Sequence, residues 1–221
     1  MAKEMTKQLV QIPADAVRLE GELTLPSAAQ GVVAFAHGSG SSRHSPRNTF
    51  VASVLQAAGL GTLLFDLLTR AEDTACETRF DIALLTQRLI AATGWLQQQP
   101  QTKTLGIGYF GASTGAAAAL QAAAALGATI QAVVSRGGRP DLADSALAQV
   151  QAPTLLLVGG ADHGVIELNR RAYAHLPGEK QLVIIPGATH LFEEPGTLEE
   201  VARLAAQWFV RHLQATRREK A

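Results

Sequence analysis

Three side chains suited to nucleophilic chemistry occur in this chain in the order serine, aspartate, histidine. Ser113 stands in Gly111-Ala112-Ser113-Thr114-Gly115, between an apolar stretch over 103–110 and an alanine-rich stretch over 116–126. This pattern predicts a strand, a sharp turn and a helix. A serine on such a turn is pushed out of the path of the chain with its hydroxyl accessible, and the flanking glycines let strand and helix pass close together. A serine hydroxyl attacks poorly at neutral pH unless a base removes its proton during the attack. His190, in Pro186-Gly187-Ala188-Thr189-His190, is the candidate base. Asp162, in Gly159-Gly160-Ala161-Asp162-His163-Gly164, is the candidate for orienting the imidazole and stabilising its charge. The chemistry expected of such a set is acyl transfer to Ser113, followed by hydrolysis of the acyl-enzyme by water. The acid would come from one loop and the base from another.

Each residue also has a plainer reading. A GxSxG match arises readily by chance in a chain with 20 glycines. Asp162 could cap a helix beginning near Val165, and His190 could be a satisfied histidine ahead of the last helix. Three coincidences in the order the chemistry needs favour catalysis over these readings. All three residues also fall just past the carboxyl ends of predicted strands, where open α/β sheets build their sites. A fourth segment, His37-Gly38-Ser39-Gly40-Ser41-Ser42, follows the apolar run Val32 to Ala36. Its small residues can turn backbone amides toward a common point. The amides of Ser39 and Thr114 are therefore the candidate oxyanion hole. His37 is expected to brace that loop, His163 to serve a loop role, and Asp66 to hold the loop that follows it. Arg136 and Arg139 could bind a substrate carboxylate or pair with Asp141 and Asp144.

Two rival functions compete with this reading. Gly106-Ile107-Gly108-Tyr109-Phe110-Gly111 satisfies GxGxxG, and with Arg136 nearby it could mark an NADP-binding oxidoreductase. A glycine turn beginning at Gly106, however, leaves a strand of only three residues and puts Tyr109-Phe110 in the phosphate loop. The other rival is a non-catalytic interaction module, since a fold does not guarantee activity.

Positioning these loops requires alternating strands and helices. The runs Val32 to Ala36, Thr62 to Phe65, Leu105 to Phe110, Ile130 to Val134, Thr154 to Val158 and Leu182 to Ile185 are nearly all apolar, as strands buried on both faces are. From Ala16 to Leu25, apolar and polar residues alternate, which predicts exposed antiparallel strand at the sheet edge. Leu85, Leu89, Ala92 and Leu96 recur at helical spacing with Gln87 and Arg88 facing elsewhere, and Val201, Ala205, Trp208 and His212 repeat the pattern. Trp95 and Trp208 are read as core. The expected architecture is a mostly parallel twisted sheet with helices on both faces, in one domain over 1–221. Between Ser135 and Gln151 there is room only for a loop and a short helix from about Asp141, so any lid is minimal.

On the motifs HGSGSS, GASTG, GGADHG and GATH, from about Leu19 to Leu213, the chain resembles the α/β-hydrolases and, within them, the compact dienelactone hydrolase-like group. The resemblance implies an α/β-hydrolase fold, hydrolysis of an ester or lactone, and a triad of Ser113, Asp162 and His190. One departure is that dienelactone hydrolases proper carry cysteine where this chain carries Ser113. Arg79-Phe80-Asp81-Ile82 and the segment His190 to Gly196 also resemble a subgroup of hydrolase domains sometimes fused to phosphoribosyltransferases.

Composition narrows the function classes. At 221 residues, with 47% hydrophobic and 17% charged residues, the chain is long enough for one well-buried core. Lys+Arg and Asp+Glu stand at 19 each, so no net field draws it to nucleic acid or an anionic membrane. The short basic tail Arg217 to Lys220 reads as a frayed helix end. Met1 to Gln11 lacks the apolar core of a secretory signal, and no run reaches the roughly 20 apolar residues of a span. The single cysteine, Cys76, has no internal partner and acidic neighbours, so a reducing, cytoplasmic setting is expected. No His, Cys and carboxylate spacing suggests a metal, and the resulting expectation is a small-molecule substrate with no cofactor.

Overall fold

Alternation begins earlier in the chain than the sequence reading placed it. The computed structural model describes residues 4–213, so the basic tail lies outside the described residues. Strand β1 spans Met5–Ala14, with Val10, Ile12 and Ala14 buried on one face. It turns through Asp15, at φ 53°, into β2, Val17–Pro26, in antiparallel register with Ala14 opposite Val17. The remaining strands are β3 (Gly31–Ala36), β4 (Gly61–Phe65), β5 (Gly106–Ala112), β6 (Ile130–Arg136), β7 (Thr154–Gly159) and β8 (Lys180–Ile185). The helices are α1 (Pro46–Ala57), α2 (Cys76–Arg79), α3 (Ile82–Gln98), α4 (Thr114–Leu126), α5 (His163–His175) and α6 (Thr197–His212). Helix α1 begins as its sequence requires: Ser45 accepts a hydrogen bond from the Asn48 amide, and Pro46 occupies a first-turn position where no amide is needed.

One eight-stranded sheet results, in the order β1-β2-β4-β3-β5-β6-β7-β8. From β4 to β8 every neighbouring pair is parallel, while β2 is antiparallel to both β1 and β4. Strands β3, β4, β5 and β7 are buried throughout, as their apolar runs predict. Strand β8 departs from that expectation: as the outer strand beside β7, it leaves Leu182, Val183 and Ile184 only half-buried. The buried residues of α3 and α4 pack with one face of the sheet, and those of α1 and α6 with the other. Strand order reverses between β3 and β5, because the chain passes from β3 to β4 on one side and returns to β5 on the other. Loops leaving these two strands diverge and open a crevice at the carboxyl ends, where such sheets take ligands.

One further expectation needs correction. Arg88 does not face solvent: its guanidinium is buried, donates to the Ala14 carbonyl and pairs with Glu72 at 2.8 Å, tying α3 to the end of the first hairpin. The segment after β6 is, as expected, a loop and one short helix, a 3-10 helix over Pro140–Gln149 that is broken at Asp144. Its Ala143 and Leu147 join the core on the α4 side, so this short helix is anchored to the body of the fold. No described helix is long and apolar enough to cross a membrane.

Phe209 of α6 shows how tightly the second layer sits. A Cβ on Gly108 of β5 would lie 2.7 Å from its ring, and the ring itself is fully buried. Phe209→Ala should therefore lower stability by about 3–5 kcal/mol through lost burial and a cavity, against about 0.5 kcal/mol or less for Val210→Ala on the exposed side, as measured by urea denaturation.

Candidate active site

The turn between β5 and α4 has the backbone of a constrained corner. Ser113 lies at φ 50°, ψ −120°, a region that side-chain-bearing residues rarely occupy. Its amide donates to the Arg136 carbonyl at 3.3 Å, and its carbonyl accepts from the amides of Arg139 at 3.0 Å and Ala116 at 3.1 Å. Contacts to both β6 and α4 thus hold the conformation. Gly111 and Gly115 permit it: a Cβ on Gly111 would lie 2.5 Å from Ala116 Cα, and one on Gly115 only 2.1 Å from the Ala36 carbonyl oxygen. The glycines of the overlapping GxGxxG lie within strand β5, with Tyr109 and Phe110 fully buried, so no glycine-rich phosphate turn exists there.

Beside this corner runs the loop after β3. A Cβ on Gly38 would approach Ser113 Cβ to 3.0 Å, so the loop lies directly on the serine. The Ser39 amide donates to Thr114 Oγ1 at 2.9 Å. That bond ties the loop after β3 to the start of α4, and it engages the Ser39 hydrogen with the Thr114 hydroxyl. His37 braces the loop as expected. The Leu67 amide donates to Nε2 at 3.0 Å, which makes Nδ1 the protonated nitrogen, donating to the Gly38 carbonyl at 3.0 Å. The ring is buried and neutral. Burial pushes its pKa below the ordinary 6.5, against the opposing pull of the Gly38 carbonyl and of Asp66 and Asp73. Asp66 accepts from the Arg43 amide at 2.7 Å and also pairs with its guanidinium, so it holds the loop after β3 rather than its own.

The acid and base loops are knitted to each other. The Gly160 amide donates to the Ile185 carbonyl and the Ala161 amide to the Ala188 carbonyl, at 2.8 and 2.9 Å. A Cβ on Gly159 would collide with the Ala188 carbonyl oxygen at 2.4 Å. Asp162 stands at the N-cap of α5, yet its side chain caps nothing there. Instead Asp162 Oδ2 accepts from His190 Nδ1 at 2.7 Å, leaving Nε2 as the nitrogen available to a substrate. His163 begins α5 rather than lying in a loop. Thr189 donates from its amide and its hydroxyl to Glu194, at 3.0 and 2.6 Å, which pins the segment just ahead of His190.

Ser113 and His190 line a common cleft of about 270 Å³, together with Ser39, Arg47, Arg136 and Leu191. Among the described residues, Ser113 Oγ makes no hydrogen bond to the imidazole. Catalytic pairs commonly tighten only when substrate is bound. Arg136 is buried at the cleft wall, over the Phe192 ring at 5.9 Å, and burial pushes its pKa down to about 10, leaving it charged at neutral pH. Arg139 does not line the cleft: its side chain makes a two-pronged pair with Asp141, at 2.9 and 2.7 Å. Arg47 was not singled out from sequence. It sits in the first turn of a helix distant in the chain, and no local motif marks it.

Comparison with known proteins places these features in a family context. Residues 22–216 match the model of the dienelactone hydrolase family. A crystal structure of a dienelactone hydrolase from Anabaena variabilis superposes with a TM-score of 0.93 at 56% identity, covering 95% of this chain and 99% of that one. Est1E from Butyrivibrio proteoclasticus, at 16% identity, matches with a TM-score of 0.78 over 92% of this chain and 98% of its own, which is a likeness of fold. A Mycobacterium tuberculosis protein named "Putative phosphoribosyl transferase" is 61% identical over 204 residues, covering 92% of this chain and 46% of that protein. The chain thus spans about half the length of this relative.

The neutral, buried His37 has a consequence for stability. Because its pKa is lower in the folded state, the unfolded chain takes up the proton first as pH falls. Its contribution is therefore complete above pH 6.5 and declines below it. The wild-type melting temperature should drop more steeply from pH 6.5 to 5 than that of His37→Gln, as followed by circular dichroism.

Proposed function

The chain belongs to the dienelactone hydrolase family, and on that premise we propose that it cleaves a carboxylic ester or lactone through an acyl-enzyme on Ser113. The observation that carries this reading is the backbone of Ser113, held at φ 50° by a close strand–helix crossing that puts its side chain at a cleft shared with His190. A fold has no structural need for a serine in that conformation, and such strain concentrates at functional positions.

In the proposed reaction, His190 Nε2 takes the Ser113 proton as Oγ attacks the substrate carbonyl carbon. The carbonyl π electrons move onto oxygen, where the amides of Ser39 and Thr114 stabilise the negative charge. The imidazolium, steadied by the Asp162 carboxylate on Nδ1, then returns its proton to the departing alcohol oxygen. Water, deprotonated by the same nitrogen, attacks the acyl carbon; the bond from that carbon to Ser113 Oγ then breaks, the imidazolium returns its proton to Oγ, and the acid leaves. A lactone follows the same path, its alcohol remaining part of the acyl group, so that the second step releases a single hydroxy acid. Arg136 is proposed to contact the substrate, whereas Arg139, paired with Asp141, is not. The name of the mycobacterial relative describes a protein roughly twice the matched length. We assign the matched half to hydrolysis because the serine, imidazole and carboxylate all lie within it.

Labelling with a serine-directed fluorophosphonate and mapping the modified peptide tests the reading directly. The label should fall on Ser113, Ser113→Ala should abolish turnover of activated aryl esters, and Asp162→Asn should lower kcat by about 10⁴-fold. Turnover retained in Ser113→Ala, or labelling at another serine alone, contradicts the proposal. A pure interaction module would turn over none of these esters.

A further inference from the structure

Helix α5 carries a polar residue where its packing calls for an apolar one. Its buried stripe consists of Ile166, Asn169 and Ala172, and Asn169 is fully buried. Asparagine is a poor helix former, and an amide withdrawn from water is costly unless its hydrogen bonds are replaced. Here they are replaced on one side only: among the described residues Oδ1 has no partner, whereas Nδ2 donates twice. One hydrogen goes to the Val165 carbonyl at 2.8 Å, a turn back in the same helix, which fixes the plane of the side-chain amide. The other goes to the Gly138 carbonyl at 3.0 Å, in the segment between β6 and the 3-10 helix.

The Gly138 carbonyl and the Arg139 amide belong to one peptide unit, and in a trans peptide they point in opposite directions. The Arg139 amide donates to the Ser113 carbonyl at 3.0 Å. That carbonyl shares a peptide unit with the Thr114 amide, which, as the first residue of α4, has no acceptor within its own helix. A continuous line therefore runs from Asn169 through two peptide units to the Thr114 hydrogen. The segment is also confined from other sides. The Gly137 amide donates to the Leu157 carbonyl at 2.8 Å, and a Cβ on Gly137 would lie 3.1 Å from the His190 carbonyl oxygen. Two successive glycines, the first at φ 51°, nevertheless leave the peptide that follows them free to rotate unless its carbonyl is held. Asn169 holds it.

Taking the Thr114 amide as an oxyanion donor, as the proposed function does, we propose that Asn169 is a positioning residue that aims and strengthens this donor through the Gly138–Arg139 and Ser113–Thr114 peptides. Each carbonyl that accepts a hydrogen bond makes the amide of its own peptide a better donor, so the line polarises the Thr114 hydrogen as well as directing it. Asn169 does not itself line the cleft.

The test compares an aryl ester with its thionoester, in which sulfur replaces the carbonyl oxygen and accepts hydrogen bonds far more weakly. Asn169→Leu fills the buried position without a donor. Removing an oxyanion donor outright costs about 100- to 1000-fold, and one left in place but loosely aimed costs less. For the ester, kcat/KM should fall by on the order of 10-fold, mostly through kcat, and for the thionoester by no more than about twofold. Ala172→Gly loosens the same helix without touching the bond and should leave the ratio of the two substrates unchanged. Asn169→Ser, whose hydroxyl can bond the Val165 carbonyl but is too short for Gly138, should repeat the leucine result and serves if Asn169→Leu fails to fold. Equal losses on both substrates, unaltered turnover, a ratio shifted as far by Ala172→Gly, or loss of the fold in both Asn169 variants overturns the positioning role and leaves ester hydrolysis standing. A wild type that cleaves no ester removes the proposed function, and this inference with it.

Discussion

The close crossing of β5 and α4 is the constraint on which the rest of the site depends. With carbonyl oxygen and backbone carbon within 2.1–2.5 Å of where a side chain on Gly115 or Gly111 would begin, neither position accepts anything larger than hydrogen. That closeness leaves Ser113 only an unusual backbone conformation, and the conformation directs its side chain away from the sheet. The surrounding loops are then arranged around a fixed point. The loop after β3 rests on the serine through Gly38, the strand end at Arg136 accepts its amide, and the loops after β7 and β8 bring in the aspartate and the histidine.

Several of these loops are stabilised by groups that have no part in the proposed chemistry. Buried His37 satisfies the Leu67 amide and the Gly38 carbonyl at once. Asp66 reaches back to Arg43, and Glu194 reaches back to Thr189. Each contact joins a loop either to a neighbouring strand end or to itself, so the candidate site is positioned by short local bonds on a rigid sheet rather than by long-range packing of the loops. Such a frame suits preorganised amides, whose value in catalysis lies in not having to move.

Much of this was legible in the sequence because the relevant signals are local. Apolar runs ending in glycine-rich turns locate β3, β5, β7 and β8 and put the candidate residues at their carboxyl ends. The burial of Arg88 was not legible, since a charged residue on an otherwise polar helical face reads as solvated until its partners, Ala14 and Glu72, are known to lie over it. Strand β1 escaped notice because Leu9 and Pro13 interrupt the alternation of Val10, Ile12 and Ala14. Arg47 could not be found from spacing at all: it comes to line the same cleft as Arg136 only when segments distant in the chain are folded together. The pairing of Arg139 with Asp141 was one of two outcomes the sequence left open, and a gap of two residues made it the shorter reach.

Strand β1 also has a consequence for how the molecule behaves in a crowded solution. It forms one outer border of the sheet, ten residues long, with Leu9 76% and Met5 52% exposed. An unpaired border of that length is a template onto which a foreign strand can zip. Pro13 supplies no amide hydrogen to such a ladder, and Lys7, kept on the surface by Glu22 at 2.9 Å, sets a charge in the path of an incoming apolar strand. The border is thus blunted by two residues rather than hidden, which favours a chain that stays dispersed while its outermost backbone remains open to water.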